Sequence, residues 1–142
     1  LLAVRRLALV LLAALALAGC GGGHKTNDEA QIKSAYEQFF SSKTALPTRI
    51  GLLQNGSRFT SIITALAKNP LASNTSATVS SVTLEDANHA KVVFTVNIGG
   101  SPLLENKPGT AVRTAGKWKV GYASLCKLIA LEGSPPAACN SG

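Results

Sequence analysis

Ala90-Lys91-Val92-Val93-Phe94-Thr95-Val96-Asn97-Ile98 decides the class of the fold. Ala90, Val92, Phe94, Val96 and Ile98 alternate with Lys91, Val93, Thr95 and Asn97, the two-residue period of a strand with one buried face. Upstream, Thr78 to Leu84 is rich in β-branched and small polar residues, and its alternation slips at Ser80-Ser81, where a bulge is expected. Glu85-Asp86-Ala87-Asn88 is the turn between the two. Downstream, Gly99-Gly100-Ser101-Pro102 breaks the pattern, and a third strand is expected over about Gly109 to Thr114. Ala115-Gly116-Lys117 turns it into a fourth, with Trp118, Val120 and Tyr122 to one side.

The chain before these strands has a helical period. Ile32, Ala35, Tyr36, Phe39 and Phe40 mark one apolar stripe, and Thr26 with Glu29 reads as a capping box at its start. Pro47 suits the first turn of a second, short helix, which Asn55-Gly56 ends. Phe59, Ile62, Ile63 and Leu66 mark a third, stopping at Asn69-Pro70. After the last strand, Leu125, Leu128 and Ile129 face inward on a short helix with Ser124 as its expected cap. Helices followed by a meander read as α+β: N-terminal helices packed on a curved four-stranded antiparallel sheet, with a short C-terminal helix.

The first twenty residues carry an address. Arg5-Arg6 precedes the eleven-residue apolar run Leu7–Leu17, too short for the roughly 20 apolar residues of a membrane span but suited to a secretory signal. Leu17-Ala18-Gly19-Cys20 reads as a lipobox, with cleavage before Cys20 and acyl chains such as palmitate carried on it. The expected layout is a signal over 1–19, a flexible glycine tether over 20–26, one domain over 27–133 and a tail over 134–142. Arg5 and Arg6 leave with the signal, which takes the net charge from +7 to +5. The remaining basic residues are scattered, so no nucleic-acid patch is expected. Membrane contact through the lipid is the natural partner, at the extracytoplasmic face of a bacterial cell membrane.

With Cys20 assigned to lipid, Cys126 and Cys139 remain as an even pair in an oxidising compartment, and a disulfide is expected. With them, His24 and His89 have no metal-ligand spacing, so no metal site and no cofactor is expected.

Leu52-Leu53-Gln54-Asn55-Gly56, the strand pair around Val79–Leu84 and Val92–Ile98, and Gly116-Lys117-Trp118-Lys119-Val120 leading into Ser124-Leu125-Cys126-Lys127-Leu128 resemble the mycobacterial low-molecular-weight secreted antigen family. The resemblance covers about Asp28 to Gly133. It implies the cone-shaped α+β fold of nuclear transport factor 2 and implies no reaction. The lipobox and the cysteine pair depart from the simple secreted pattern.

Folds of this kind often hold a pocket. The candidate pocket residues are Tyr36, Phe39, Phe94, Trp118 and Tyr122. In ketosteroid-isomerase-like relatives an acid and a tyrosine act together in an apolar site. Here Asp28 and Glu29 belong to a helix start, Glu85 and Asp86 to a turn, Glu105 to a loop and Glu132 to a helix end. Glu37 lies beside the apolar stripe, and His89 adjoins a turn. No Gly-x-Ser-x-Gly elbow or phosphate loop is present. The expectation is a non-enzymatic envelope lipoprotein binding an envelope protein or a small apolar ligand. The alternatives are an enzyme using Tyr36 or Glu37, and a structural or assembly module of the envelope.

Overall fold

The computed structural model describes residues 21–140. The signal and Cys20 lie outside them. Four α-helices and four strands follow in the order α1 (Gly21–Phe40), α2 (Leu46–Gly51), α3 (Thr60–Ala67), β1 (Thr75–Leu84), β2 (His89–Ile98), β3 (Ser101–Thr114), β4 (Lys117–Val120) and α4 (Tyr122–Ala130), with three short 3-10 turns between or after them. The sheet is an antiparallel meander in the order β1-β2-β3-β4. It curves into a half-barrel, with α1–α3 ahead of it in sequence and the short α4 after it.

The core forms where the two periods meet. Ile32, Ala35, Tyr36 and Phe39 of α1 are buried against Val79, Ala90, Val92, Phe94 and Val96 of the sheet. Each large apolar side chain buried this way contributes roughly 1.5–3 kcal/mol. Phe94 sits at the centre, 5.0 Å from the Tyr36 ring and 5.3 Å from the Phe40 ring.

Bulges supply the curvature. In β1, Val79 pairs with Phe94 and Ser81 with Val93, so Ser80 is the extra residue, and its hydroxyl donates to the Val93 carbonyl at 3.1 Å. The slipped alternation at Ser80-Ser81 is this bulge. In β3, Lys107 faces Phe94 and Leu104 faces Val96, which leaves Glu105 and Asn106 opposite Thr95 alone. Asn106 takes a left-handed φ of 49°, which asparagine tolerates better than most residues. A second irregularity follows at once, because Pro102 faces Asn97.

Three expectations about the chain change. The helix expected from Thr26 begins at Gly21, so from that residue the expected tether is helical. A helix nucleated by its packed part extends at one hydrogen bond per residue, without a second nucleation cost. The third strand begins at Ser101 rather than Gly109, so Glu105 lies in a strand and not a loop. Pro102 and Pro108 are accommodated because β4 pairs only with Ala111–Thr114, leaving the earlier part of β3 without that neighbour. Finally, Gly121 and not Ser124 is the cap of α4. Ser124 is buried because its hydroxyl is needed elsewhere.

That place is a three-residue junction. The Tyr36 hydroxyl donates to the Thr110 carbonyl at 2.6 Å, and Ser124 Oγ lies 2.9 Å from the same hydroxyl. The Thr110 amide donates to Ser124 Oγ at 2.8 Å. Tyr36 gives its proton to Thr110, so Ser124 donates to Tyr36, and each hydroxyl both donates and accepts. Gly109 leaves the room for it. A Cβ there would run into the Tyr36 hydroxyl and approach Phe94 Cε1 within 2.9 Å and Ser124 Oγ within 3.1 Å. Gly109→Ala is expected to cost about 1–3 kcal/mol in thermal denaturation, the range for overpacking a filled site.

Burial raises the Tyr36 phenol from its ordinary 10.0 to about 12, against the opposing pull of its hydrogen bonds to Ser124 and Thr110. The unfolded chain therefore loses this proton at a lower pH than the folded one. The stability this provides is whole below about pH 10 and is lost as pH rises toward 12, on the order of 3 kcal/mol in all. Urea denaturation at a series of alkaline pH values should show the decline. Tyr36→Phe should weaken the fold by about 1–2 kcal/mol at neutral pH and flatten that decline.

Candidate apolar cavity

The five candidate pocket residues do not converge. Tyr36 and Phe94 are wholly buried in the core. Trp118 is buried too, and its indole N–H donates to Asp28 Oδ1 at 3.0 Å, with Arg113 3.7 Å from the same oxygen. Asp28 thus ties α1 to β4 and is not part of a helix start. The Tyr122 ring stacks on Phe59 at 5.9 Å. Only Phe39 of the five lines the apolar cavity at one end of the domain.

That cavity has a volume of about 230 Å³ and lies between the C-terminal end of α1 and the sheet end where β2 turns into β3. Phe39 and Phe40 come from α1, and Ile63 and Leu66 from α3. Val96 and Ile98 close it from β2, and Leu103 and Leu104 from β3. Leu125, Leu128 and Ile129 form the wall given by α4. Neighbouring residues of a strand normally point to opposite faces. Leu103 and Leu104 reach the same cavity because the irregular pairing between Val96–Leu104 and Asn97–Pro102 falls between them.

The polar lining is sparse. Ser42, Asn69 and Thr75 contribute, and Asn69 Oδ1 already accepts the Leu71 amide at 3.0 Å. Arg49 and Glu132 are the two charged groups. Arg49 Nη2 donates to the carbonyls of Ser41 at 2.7 Å and Thr44 at 3.1 Å, which fixes the turn between α1 and α2. Its Nε is buried without an acceptor, and desolvation lowers its pKa.

The acids and the histidine lie elsewhere. Glu37 is partly exposed and sits 3.9 Å from Lys33 on the polar side of α1. The exposed His89 ring meets Asp86 at 2.9 Å. The Asn88 amide and His89 hold the Asp86 carboxyl below its ordinary range. No group of three His, Cys, Asp or Glu able to hold a metal is found among the described residues, and no helix there is long and apolar enough to cross a membrane.

Sequence reasoning missed Arg49 and most of the apolar lining. Leu71 and Leu103 each follow a proline in a segment read as a break, Pro70-Leu71 and Pro102-Leu103. A large apolar residue just past a break was the available signal.

Helices over a curved antiparallel meander, with an apolar cavity at one end, make this a cone-like α+β domain. Residues 25–136 match the family described as low molecular weight antigen MTB12, C-terminal domain, and the chain belongs to that family. No curated protein matches the chain.

Cys126 and Cys139 are joined by a disulfide with their Cα atoms 5.8 Å apart. It holds the last 3-10 turn, Ala137–Cys139, to α4, where Ala138 and Cys139 pack against the core. The bridge thereby braces the helix that walls the cavity. The sequence separation of 13 corresponds to roughly 3 kcal/mol in the chain-entropy account. Cys126→Ser with Cys139→Ser should lose about that much in denaturant titration. Peptides carrying the two cysteines of the native protein should take up alkylating label only after reduction.

Proposed function

We propose that this chain is a non-enzymatic lipoprotein of the bacterial envelope, held at the extracytoplasmic face of the cell membrane through Cys20, whose domain binds a small apolar ligand. The apolar cavity carries the reading. It offers a half-open, mostly apolar lining with few polar groups, the usual character of a small-molecule site. The non-enzymatic part rests on chemistry. The Tyr36 hydroxyl is engaged by Thr110 and Ser124, and Glu37 faces Lys33 rather than an apolar recess. The anchor rests on Leu17-Ala18-Gly19-Cys20 behind its apolar run. Two or more acyl chains give stable membrane residence where one binds only marginally.

Two measurements test this. Cys20→Ser should move the protein from the membrane to the soluble fraction and remove the acyl mass from its N-terminal peptide. A membrane-bound Cys20→Ser protein would sink the anchor. The neutral probe N-phenyl-1-naphthylamine should brighten on binding the protein, and Leu104→Trp, which fills the cavity, should abolish that signal. A signal unchanged by the substitution would remove the cavity from the account.

A further inference from the structure

Four large apolar side chains stand exposed among the described residues: Leu66, Leu71, Leu103 and Leu131. The first three line this cavity, at 40%, 63% and 60% exposure. They come from α3, from the turn after it and from β3, so they form an assembled rim and not one amphipathic stripe. Leaving such side chains in water forgoes the burial energy that the rest of the core collects. An occupant that reaches from inside the cavity to its mouth would cover them.

The size of the cavity restricts that occupant. A methylene group is close in volume to a water's share of the liquid, about 30 Å³, so 230 Å³ holds about seven or eight chain carbons. The charge restricts it further. Arg49 is the one cation on the lining, and no carboxylate within 4 Å of it forms an ion pair among the described residues. A carboxylate at the guanidinium would supply the missing counter-charge, in a charge-assisted hydrogen bond of the stronger kind. Glu132, exposed at the end of α4, is the one carboxylate on the lining and would repel a second one. An anionic head is therefore drawn to Arg49 and kept from the α4 end.

We propose that the cavity binds a single-chain fatty acid of medium length, its chain among Ile63, Leu104, Leu125 and Leu128 and its carboxylate against Arg49. This rests on the reading that the cavity holds a small apolar ligand, and it names the class. Arg49 would be a positioning and selecting residue, with the leucine rim closing over the chain.

The test displaces N-phenyl-1-naphthylamine from the full-length protein with decanoate, decanol or decyltrimethylammonium, which differ in head group alone. Decanoate should compete at least tenfold better than decanol, and the cation worst. Arg49→Lys should keep the preference. Arg49→Gln should bring decanoate to the level of decanol. Arg49 also holds two backbone carbonyls, so if Arg49→Gln fails to fold, the head-group series on the wild-type protein decides alone. Equal competition by decanoate and decanol would overturn the fatty-acid assignment and leave the apolar-ligand reading intact. Probe binding that none of the three displaces, or no probe binding, would overturn both. A dimer in sedimentation that decanoate does not dissociate would give the leucine rim to a second copy and overturn the proposal.

Discussion

The contact among Tyr36, Thr110 and Ser124 is the constraint on which the rest depends. It joins the long first helix, the third strand and the last helix, which are 74 and 88 residues apart in the chain as counted from Tyr36. Apolar packing alone would let α1 slide or turn on the sheet, because burial has no direction. Hydrogen bonds in a buried site do, and an unmet partner there costs about 1–3 kcal/mol. Fixing Tyr36 fixes the phase of α1, which sends Phe39 and Phe40 one turn further toward the β2–β3 end. Fixing Ser124 sets the phase of α4 in the same way and presents Leu125, Leu128 and Ile129 to that end. The cavity lies where these two directed faces meet the sheet without filling the space between them.

Most of the fold was legible because it is carried by periodicity. The strand from Ala90 to Ile98 keeps its alternation through Val96, and the slip at Ser80-Ser81 marks a real bulge. What escaped the sequence depends on contacts between distant residues. Ser124 looks like a cap, being a serine near the start of an apolar helical run. Its role is set by a tyrosine on another element. Asp28 looks like a helix-start acid until Trp118 and Arg113 come to lie beside it. The long third strand was hidden by Pro102 and Pro108, residues that argue against a central strand but can stand on an unpaired flank. The pocket was misplaced for a related reason. Aromatic residues are natural pocket walls, yet Tyr36, Phe94 and Trp118, with much surface to hide, are absorbed by the core. Beyond Phe39 and Phe40 the cavity is lined mostly by aliphatic residues and by one arginine, whose sequence context is ordinary.

The bulges connect shape to site. Each adds twist and bends its strand, which gives the sheet its curve. The irregularity near Leu103 does more, since it brings two consecutive leucines to one side. A regular strand would have turned one of them away and narrowed the apolar mouth. Thus the same departures from ideal pairing that close the half-barrel around α1 also open the space at its end.

The place of the cavity on α1 limits what can fill it. Phe39 and Phe40 line it from the C-terminal end of a 20-residue helix, while Cys20 immediately precedes the N-terminal end. At 1.5 Å per residue that helix spans about 30 Å. An acyl chain in one leaflet reaches across only half of a hydrocarbon core about 30 Å thick, or about 15 Å. On the proposed reading, lipid carried on Cys20 is therefore too short to run back along α1 and fill the cavity of its own domain. On that reading the anchor and the cavity have separate tasks. The anchor confines the domain to the membrane surface, and the cavity at the far end of α1 faces whatever ligand arrives from outside the chain.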